Sequence, residues 1–215
     1  MSKVVLAEGF RLLPGFLDIR QQKKLLTDIR HVAAAAPLFR PLMPKSGKAF
    51  SVRMTNCGPL GWVSDKSGYR YQASHPVTGQ SWPALPDTIR EIWEKLSEFP
   101  APPEACLINF YDEKSRLGLH KDEDEEEFSA PVLSISLGDA CLFRIGGLKR
   151  SDPTCSFRLS SGDIVILGGG SRLCYHGVDR IYGGTSSLLK GNGRVNLTIR
   201  RVTPALTKNE PGPES

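Results

Sequence analysis

The sequence has no hydrophobic run long enough to cross a bilayer. Apolar stretches such as residues 32–36 are far shorter than the roughly 20 residues that a spanning helix needs. Residues 1–16 also lack the apolar core and the small-residue cleavage site of a secretory signal. We therefore expect a cytoplasmic protein that has no membrane partner.

Cysteine and histidine are both scarce. The five cysteines are odd in number and scattered, and no two of them form a Cys-x-x-Cys pair. This pattern excludes a disulfide framework and a zinc knuckle. Only four histidines are available for any metal or acid–base chemistry, and they are His31, His75, His120 and His176.

What is present is an ordinary globular composition with an uneven charge. The 215 residues are 40% hydrophobic and 24% charged, which fits one domain, or one domain with a small lid. The net charge of +5 divides into +6 for residues 1–100 and −1 for the rest, and residues 40–70 hold six basic side chains against Asp65 alone. A basic segment of this kind is what a surface that binds a polyanion requires, although charge alone favours an ordinary solvated surface.

Hydrophobic patterning divides the chain into a helical and loop-rich first half and a β-rich second half. Residues 18–36, with Asp18 as a cap, and residues 87–98, with Asp87 as a cap, predict helices, whereas 41–83 predict irregular loops and short hairpins. Short strands are predicted at 105–111, 131–138, 141–147, 155–160, 163–169 and 194–200. The gaps between them are too short for crossover helices, so a βαβ fold is excluded and a sandwich or double-sheet barrel is expected.

His120 and Asp122 are separated by one residue, and His176 follows 56 residues later. On a strand, residues two apart point to the same face, so His120 and Asp122 can bind a single ion. Two histidines and one carboxylate are the ligand set of a non-haem Fe(II) site that keeps positions open for a co-substrate and O₂. Zinc in a hydrolase uses the same ligand types, and the metal therefore stays open at this point.

Four polar residues alternate along the last predicted strand. Arg194, Asn196, Thr198 and Arg200 share one face, and two buried guanidinium groups need anions beside them. A dicarboxylate fits that need, and Asn109 and Tyr111, also two apart, can supply further donors. An exposed charged strand face is the alternative. Together with the metal ligands, the pattern indicates a 2-oxoglutarate-dependent oxygenase.

Six segments of the chain, taken in order, resemble the AlkB family of nucleic-acid demethylases. They are MTNCGPLGW (54–62), ACLINFY (105–111), LHKDEDE (119–125), FRIGGLKRSDP (143–153), GDIVILGGGSRLCYHGV (162–178) and RVNLTIR (194–200). The resemblance implies a mainly β fold with flanking helices, in which a double-stranded β-helix (jelly-roll) core lies under an N-terminal nucleotide-recognition lid. It divides the chain into an extension and helix (1–40), the lid and a supporting helix (41–103), the core (104–203) and a disordered tail (204–215).

The resemblance also implies an activity and its cofactors. The reaction is oxidative demethylation of 1-methyladenine and 3-methylcytosine in single- or double-stranded DNA, with RNA as a second candidate. It releases formaldehyde, converts 2-oxoglutarate to succinate and CO₂ with Fe(II) and O₂, and serves direct-reversal DNA repair. We expect a monomer.

Site roles follow from the resemblance by position. The iron ligands at the catalytic centre would be His120, Asp122 and His176. The residues that hold 2-oxoglutarate would be Asn109 and Arg200 at the carboxylate near the iron, and Tyr111, Arg194 and Asn196 at the distal one. The residues that bind substrate would be Met54, Trp62, Tyr69, Tyr71, Asp124 and Arg150, with Trp62 stacked on the flipped base and Asp124 near its methylated edge.

The sequence departs from the family pattern at Glu123, where a basic residue is expected, so a phosphate contact is in doubt there. The other acids of this run, Glu125, Glu126 and Glu127, are expected in a solvated loop. Three alternatives remain: a 2-oxoglutarate oxygenase that acts on a protein or small molecule, a non-catalytic reader of nucleic acid, and a zinc hydrolase.

Overall fold

The computed structural model describes residues 7–205 and is built mainly from antiparallel strands. The strands are β1 Phe10–Leu13, β2 Arg53–Cys57, β3 Gly61–Asp65, β4 Gly68–Gln72, β5 Ala105–Tyr111, β6 Leu117–His120, β7 Val132–Gly138, β8 Ala140–Ile145, β9 Cys155–Leu159, β10 Ile164–Leu167, β11 His176–Tyr182 and β12 Arg194–Arg200. The helices are α1 Ile19–Ala35 and α2 Asp87–Leu96, with a short 3₁₀ helix at Gly169–Ser171. The predicted tail lies almost wholly outside the described residues.

Two sheets face each other and a separate hairpin lies beside them. The larger sheet has the order β1-β10-β7-β12-β5-β2, the smaller has β6-β11-β8-β9, and β3 pairs only with β4. The strand β2 lies within 41–103 yet pairs with β5 as part of the larger sheet. The domain boundary at residue 104 therefore stays a prediction.

Both faces of the larger sheet are buried, one against the helices and the other against the space between the two sheets. Its outer face packs against the two helices, and β12 contributes Val195, Leu197 and Ile199 to that core. Its inner face looks toward the smaller sheet, and there β12 presents its polar residues, which are also buried. The alternation along β12 therefore separates a supporting apolar layer from a polar interior.

Helix α1 begins where the sequence predicts. The carboxylate of Asp18 accepts the main-chain N–H groups of Arg20 and Gln21 at 2.8 Å, which satisfies two donors that the first turn leaves free. The side chain of Gln21 accepts the N–H of Asp18 in return and completes a capping box. Pro37 follows the last turn, where the chain leaves the helix.

Helix α2 carries a narrow apolar stripe. Ile89, Ile92, Trp93 and Leu96 are buried at the spacing of one helix face. The predicted cap was wrong, because Pro86 occupies the cap position and no side chain caps the first turn. Within residues 7–205, no helix is long and apolar enough to span a membrane.

Candidate metal and oxoacid site

A cavity of about 720 Å³ lies between the two sheets, and the β3–β4 hairpin borders its mouth. Inner-face residues of β5 and β12 line it on one side, and residues 117–125 with β11 line it on the other. All three predicted metal ligands and all five predicted 2-oxoglutarate contacts lie on its wall. The fold therefore brings these eight residues to one place.

The two histidines meet because their strands pair. His120 ends β6, His176 begins β11, and the two are directly opposite each other in the register, with ring centroids 4.5 Å apart. Asp122 follows two residues after β6 ends, and its Oδ1 and Oδ2 lie 3.8 Å from Nε2 of His120 and 3.9 Å from Nε2 of His176. One atom from each residue lies within 4.8 Å of the other two, so a single ion can contact all three.

Hydrogen bonds orient both imidazoles toward this common point. Nδ1 of His120 lies 2.9 Å from the Gly118 carbonyl, and Nδ1 of His176 lies 3.0 Å from the Cys174 carbonyl. A carbonyl can only accept, so each Nδ1 is the donor and each Nε2 keeps a lone pair for a metal.

The charge state of the site also suits a cation. Burial, reinforced by the neighbouring His120, lowers the pKa of His176 to about 4, so this ring is neutral near pH 7. Burial alone would raise the pKa of Asp122, but Arg200, through its charge and its hydrogen bond, acts together with the two imidazoles and holds that pKa well below its ordinary value. Neutral imidazoles and an ionised carboxylate are the forms that bind a metal.

One oxygen of the triad has no hydrogen-bond partner within residues 7–205. Oδ2 of Asp122 is buried and accepts no hydrogen bond, whereas a buried charged atom normally has one. A divalent cation between this oxygen and the two Nε2 atoms would satisfy it. The residues present therefore fit Fe(II), whose ligands in proteins include two histidines and one carboxylate.

The other end of the cavity holds the cation Arg194, which has no counter-ion in the part of the chain that the structure describes. The Arg194 side chain is buried and donates one hydrogen bond, from Nη2 to the Ser136 hydroxyl at 2.9 Å. Its Nε and Nη1 have no partner, and neither does Oδ1 of Asn109. Burial raises the pKa of Tyr111, so its hydroxyl is neutral and can donate. A carboxylate of a small acid would pair with these groups.

Asn196 is partly committed to the protein. Its Nδ2 donates to the Ser134 hydroxyl at 2.8 Å and to the Ile135 carbonyl at 3.0 Å, and its Oδ1 accepts from Thr198. These bonds fix the amide on the cavity wall between Arg194 and Arg200. Asn196 and Thr198 share the face of β12 that the spacing predicts.

Arg200 lines the cavity but already has anionic partners. Its Nη2 donates to Oδ1 of Asp122 at 2.8 Å, its Nη1 to the Tyr71 hydroxyl at 3.2 Å, and its Nε lies 3.2 Å from Oε1 of Glu125. The guanidinium thus orients the triad carboxylate. Its expected contact with 2-oxoglutarate stays a prediction.

Glu125 is a functional candidate that sequence reasoning missed. The expectation that Glu125 belongs to a solvated loop was wrong, because its side chain is only 1% exposed and pairs with Arg172 and Arg200. Glu126 beside it is exposed, as expected. A run of six acids carries no signal that separates these two positions, since the buried partners come from residues 47 and 75 positions away.

The predicted substrate residues divide into two groups. Met54, Trp62, Tyr69, Asp124 and Arg150 all line the cavity or its mouth. Tyr71 is not among the lining residues, and its hydroxyl donates to Glu125 behind the wall. Tyr69 therefore stays available at the cavity, whereas the hydroxyl of Tyr71 is already bonded to Glu125 and Arg200.

Trp62 is held in place at the mouth from two sides. Its Nε1 donates to Oδ2 of Asp124 at 2.7 Å, and its ring stacks on Tyr69 with centroids 5.5 Å apart and an interplanar angle of 20°. Partial burial raises the pKa of Asp124. Glu123 is exposed and pairs with Lys121 at 2.7 Å.

Comparison with known proteins gives the class first. Residues 9–200 match the model of the 2OG-Fe(II) oxygenase superfamily. The fold and the site therefore define an Fe(II)- and 2-oxoglutarate-dependent dioxygenase, which confirms the predicted enzyme class and its cofactors Fe(II), 2-oxoglutarate and O₂.

Individual relatives then give the family. The chain is 50% identical over 197 residues to an alpha-ketoglutarate-dependent dioxygenase AlkB homolog of Caulobacter vibrioides, covering 92% of this chain and 89% of that protein. It is 40% identical over 201 residues to AlkB of Escherichia coli, covering 92% of each. The solved structure of OsALKBH1 superposes with a TM-score of 0.79 at 31% identity, covering 92% of this chain and 98% of the other. The chain belongs to the AlkB family, and the jelly-roll prediction is confirmed.

Proposed function

We propose that this enzyme removes methyl groups from ring nitrogens of 1-methyladenine and 3-methylcytosine in DNA, as direct-reversal repair, with RNA as a second candidate substrate. The observation that carries the proposal is one cavity with three features. The metal triad places Oδ2 of Asp122, which accepts no hydrogen bond, near two imidazoles. Arg194, which lacks a counter-ion, lies at the other end of the cavity, and Trp62, stacked on Tyr69, lies at its mouth.

The protein's part in the chemistry is binding and placement. We infer that Nε2 of His120, Nε2 of His176 and Asp122 hold Fe(II). Arg194, with Tyr111 and Asn196, holds the distal carboxylate of 2-oxoglutarate, while Asn109 assists near the metal. Bound Fe(II), with 2-oxoglutarate and O₂, supplies the oxidation that hydroxylates the N-methyl group and yields succinate and CO₂. The hydroxymethylated base then falls apart to formaldehyde and the plain base.

The mouth of the cavity suits a base that has left its stack. The target methyl lies on the pairing edge, so the base must be flipped out or met on a single strand. Stacking of a base on an aromatic ring such as Trp62 is typically worth about 1–3 kcal/mol. Both substrates carry positive charge near neutral pH, and the Asp124 carboxylate beside Trp62 gives that charge a partner.

Relatives and charge both favour a nucleic-acid substrate. An Arabidopsis thaliana protein that is 30% identical over 229 residues is named a DNA N(6)-methyladenine demethylase, and a Schizosaccharomyces pombe protein that is 32% identical over 162 residues is named a tRNA demethylase. The basic excess of residues 40–70 lies in the region that contributes to the cavity mouth. We further infer a monomer, since one chain supplies every group that the site uses, and a cytoplasmic location, as expected from the sequence.

A demethylation assay tests the proposal. The purified enzyme is mixed with a short DNA oligonucleotide that contains one 1-methyladenine, with Fe(II), 2-oxoglutarate and air, and formaldehyde release is measured. We expect release to require all three additions, to stop with a chelator, and to be lost in His120→Ala. Release that survives chelation, or is unchanged in His120→Ala, would exclude the oxygenase mechanism.

The same assay separates the main alternative. A parallel reaction with unmethylated DNA serves as the negative control. A parallel reaction with methylated RNA, compared with methylated DNA, shows which polymer the enzyme uses. If the enzyme forms succinate in the presence of cell extract but releases no formaldehyde from any methylated oligonucleotide, it is still a 2-oxoglutarate-dependent dioxygenase. That result would assign the enzyme to a protein or small-molecule substrate.

A further inference from the structure

Arg172 is a buried arginine that does not line the cavity. Only 3% of the Arg172 surface is exposed to solvent. The residue directly follows the 3₁₀ helix Gly169–Ser171 and lies four residues before His176. A guanidinium group buried this deeply must have partners, because an isolated buried charge is strongly unfavourable. The identity of those partners indicates what Arg172 does.

All three kinds of nitrogen in the Arg172 guanidinium donate to the loop that carries Asp122. Nη1 donates to the Asp122 carbonyl at 2.7 Å, Nη2 to Oε2 of Glu125 at 3.1 Å, and Nε to the Ala130 carbonyl at 3.0 Å. Arg172 itself belongs to the segment that leads into His176. Its side chain therefore joins the segment of the second histidine to the loop of the carboxylate.

Glu125 links this contact to the carboxylate of the triad. Its Oε2 pairs with Arg172, its Oε1 lies 3.2 Å from Nε of Arg200, and Arg200 donates to Oδ1 of Asp122. Asp122 is thus held at its main-chain carbonyl by one arginine and at its carboxylate by the other. The two arginines match the two carboxylates in charge. Among the four carboxylate oxygens of Asp122 and Glu125, Oδ2 of Asp122 is the one that has no hydrogen-bond partner in the described part of the chain, and it lies 3.9 Å from Nε2 of His176.

We propose that Arg172 is a positioning residue for the metal site, one that fixes the distance between Asp122 and His176. The proposal rests on the proposed function, because it takes the triad as the site of Fe(II). Groups that orient metal ligands typically contribute 10–100-fold to metal affinity. Without Arg172, the pairing of β6 with β11 would still hold His120 opposite His176, but the hydrogen bonds that tie the loop of Asp122 to the segment before His176 would be gone. We therefore expect the preformed separation of Oδ2 and Nε2 to relax.

Metal binding to the apoprotein tests the proposal without turnover. Co(II) is titrated into wild type, Arg172→Lys, Glu125→Gln and the double variant Arg172→Met with Glu125→Gln, and the Kd is measured by calorimetry. The double variant is included because Arg172→Met alone would leave Glu125 with one cation instead of two. We expect the double variant to bind Co(II) roughly 10–100-fold more weakly than wild type and than Glu125→Gln, and Arg172→Lys to lie between them.

Arg201→Met is the matched control. Arg201 is also largely buried, donates to the Thr203 carbonyl at 2.7 Å and pairs with Glu104, away from the triad. Its loss should lower the Tm and leave the Co(II) Kd unchanged. If the Arg172 variants likewise lower the Tm but bind Co(II) within about twofold of wild type, Arg172 is only structural and the proposal is wrong.

Failure of the proposed function gives a different result. In that case wild type itself does not bind Co(II), or His120→Ala binds it as tightly as wild type does. Weak binding confined to the Arg172 variants supports both conclusions.

Discussion

Arg194 and Arg200 lie six residues apart on one face of β12, yet their guanidinium groups are in different electrostatic states. Arg200 is paired with Asp122 and Glu125, whereas Arg194 is buried with two unsatisfied nitrogens and no carboxylate beside it. The sequence pattern alone treats the two arginines as equivalent. Of these two arginines, Arg194 is the one that has no anionic partner within residues 7–205, and we expect a ligand to supply it.

The first prediction separates these two residues. Arg194→Met should raise the KM for 2-oxoglutarate roughly 10–100-fold, because a hydrogen bond to a charged group is worth about 1.5–3 kcal/mol. The free energy of unfolding of the apoprotein should stay equal or rise, since an unpaired buried charge is removed. Steady-state kinetics and urea denaturation measure the two quantities. An unchanged KM would mean that the acid binds elsewhere.

Arg200→Met should behave in the opposite way. It leaves Asp122 and Glu125 short of a cation, and breaking a buried ion pair costs about 3–5 kcal/mol. Urea denaturation of the apoprotein should therefore show a large loss of stability, with Arg194→Met as the control of equal side-chain change. Stability equal to wild type would contradict the pairing described for Arg200.

Asp124 gives a prediction about substrate charge. Asp124→Asn keeps an acceptor for Nε1 of Trp62 and removes only the charge. We expect kcat/KM to fall about tenfold on 1-methyladenine, a loss of roughly 1.4 kcal/mol, and to change little on the neutral lesion ethenoadenine. Glu126→Gln, an exposed acid two residues away, is the control. Equal losses on both lesions would remove the charge role of Asp124.

At the scale of elements, short β-rich runs bounded by turn residues were the reliable signal. They predicted β5, β7, β8, β9, β10 and β12, and the two helices were found from their apolar stripes. The strands β1, β2, β6 and β11 were missed. Two of these carry His120 and His176, whose polar side chains interrupt the apolar pattern at the point where the strands pair.

The site was predictable to the extent that its chemistry is local. His120-x-Asp122 and the polar face of β12 are read from spacing. The buried ion pairs are not local, because Glu125, Arg172 and Arg200 come from three separate segments. The sequence of one segment does not predict which residues of the other two it will contact. Long-range charge pairing of this kind depends on the fold and is invisible to patterns of neighbouring residues.

The β3–β4 hairpin offers a prediction at the same scale. The side-chain hydrogen bond from Arg70, together with the Ser67 N–H, lowers the pKa of Asp65 to about 2. A lowered folded-state pKa means that the ionised pair stabilises the hairpin above about pH 4, and that this contribution is lost as pH falls toward 2. In Arg70→Gln, the Asp65 pKa measured by NMR titration should return toward 3.8. Arg90→Gln, in α2, should leave it near 2.

For the whole molecule, the positions of the basic side chains in residues 40–70 show which of them are exposed and unpaired. Of the six basic residues between 40 and 70, Arg40 donates to main-chain carbonyls and Arg70 pairs with Asp65. Lys45, Lys48 and Lys66 are exposed and form no ion pair within the part of the chain that the structure describes. Cε of Lys66 lies 3.9 Å from the point that a side-chain Cβ would occupy at Gly47. Because Gly47 lies between Lys45 and Lys48, the three lysines are on neighbouring segments.

This lysine cluster predicts how nucleic-acid binding depends on salt. Each phosphate neutralised on a single strand contributes roughly 0.7 to the slope of log K against log salt. Replacing Lys45, Lys48 and Lys66 together by Gln should reduce the steepness of that slope by about 2, measured by fluorescence anisotropy with a methylated single-stranded oligonucleotide. The control replaces Arg20, Lys23 and Arg30, exposed on α1, by Gln, which removes the same charge from a surface that does not border the cavity. If both triple variants lose slope equally, binding follows net charge alone; a loss confined to the lysine cluster places the strand across the hairpin side of the mouth.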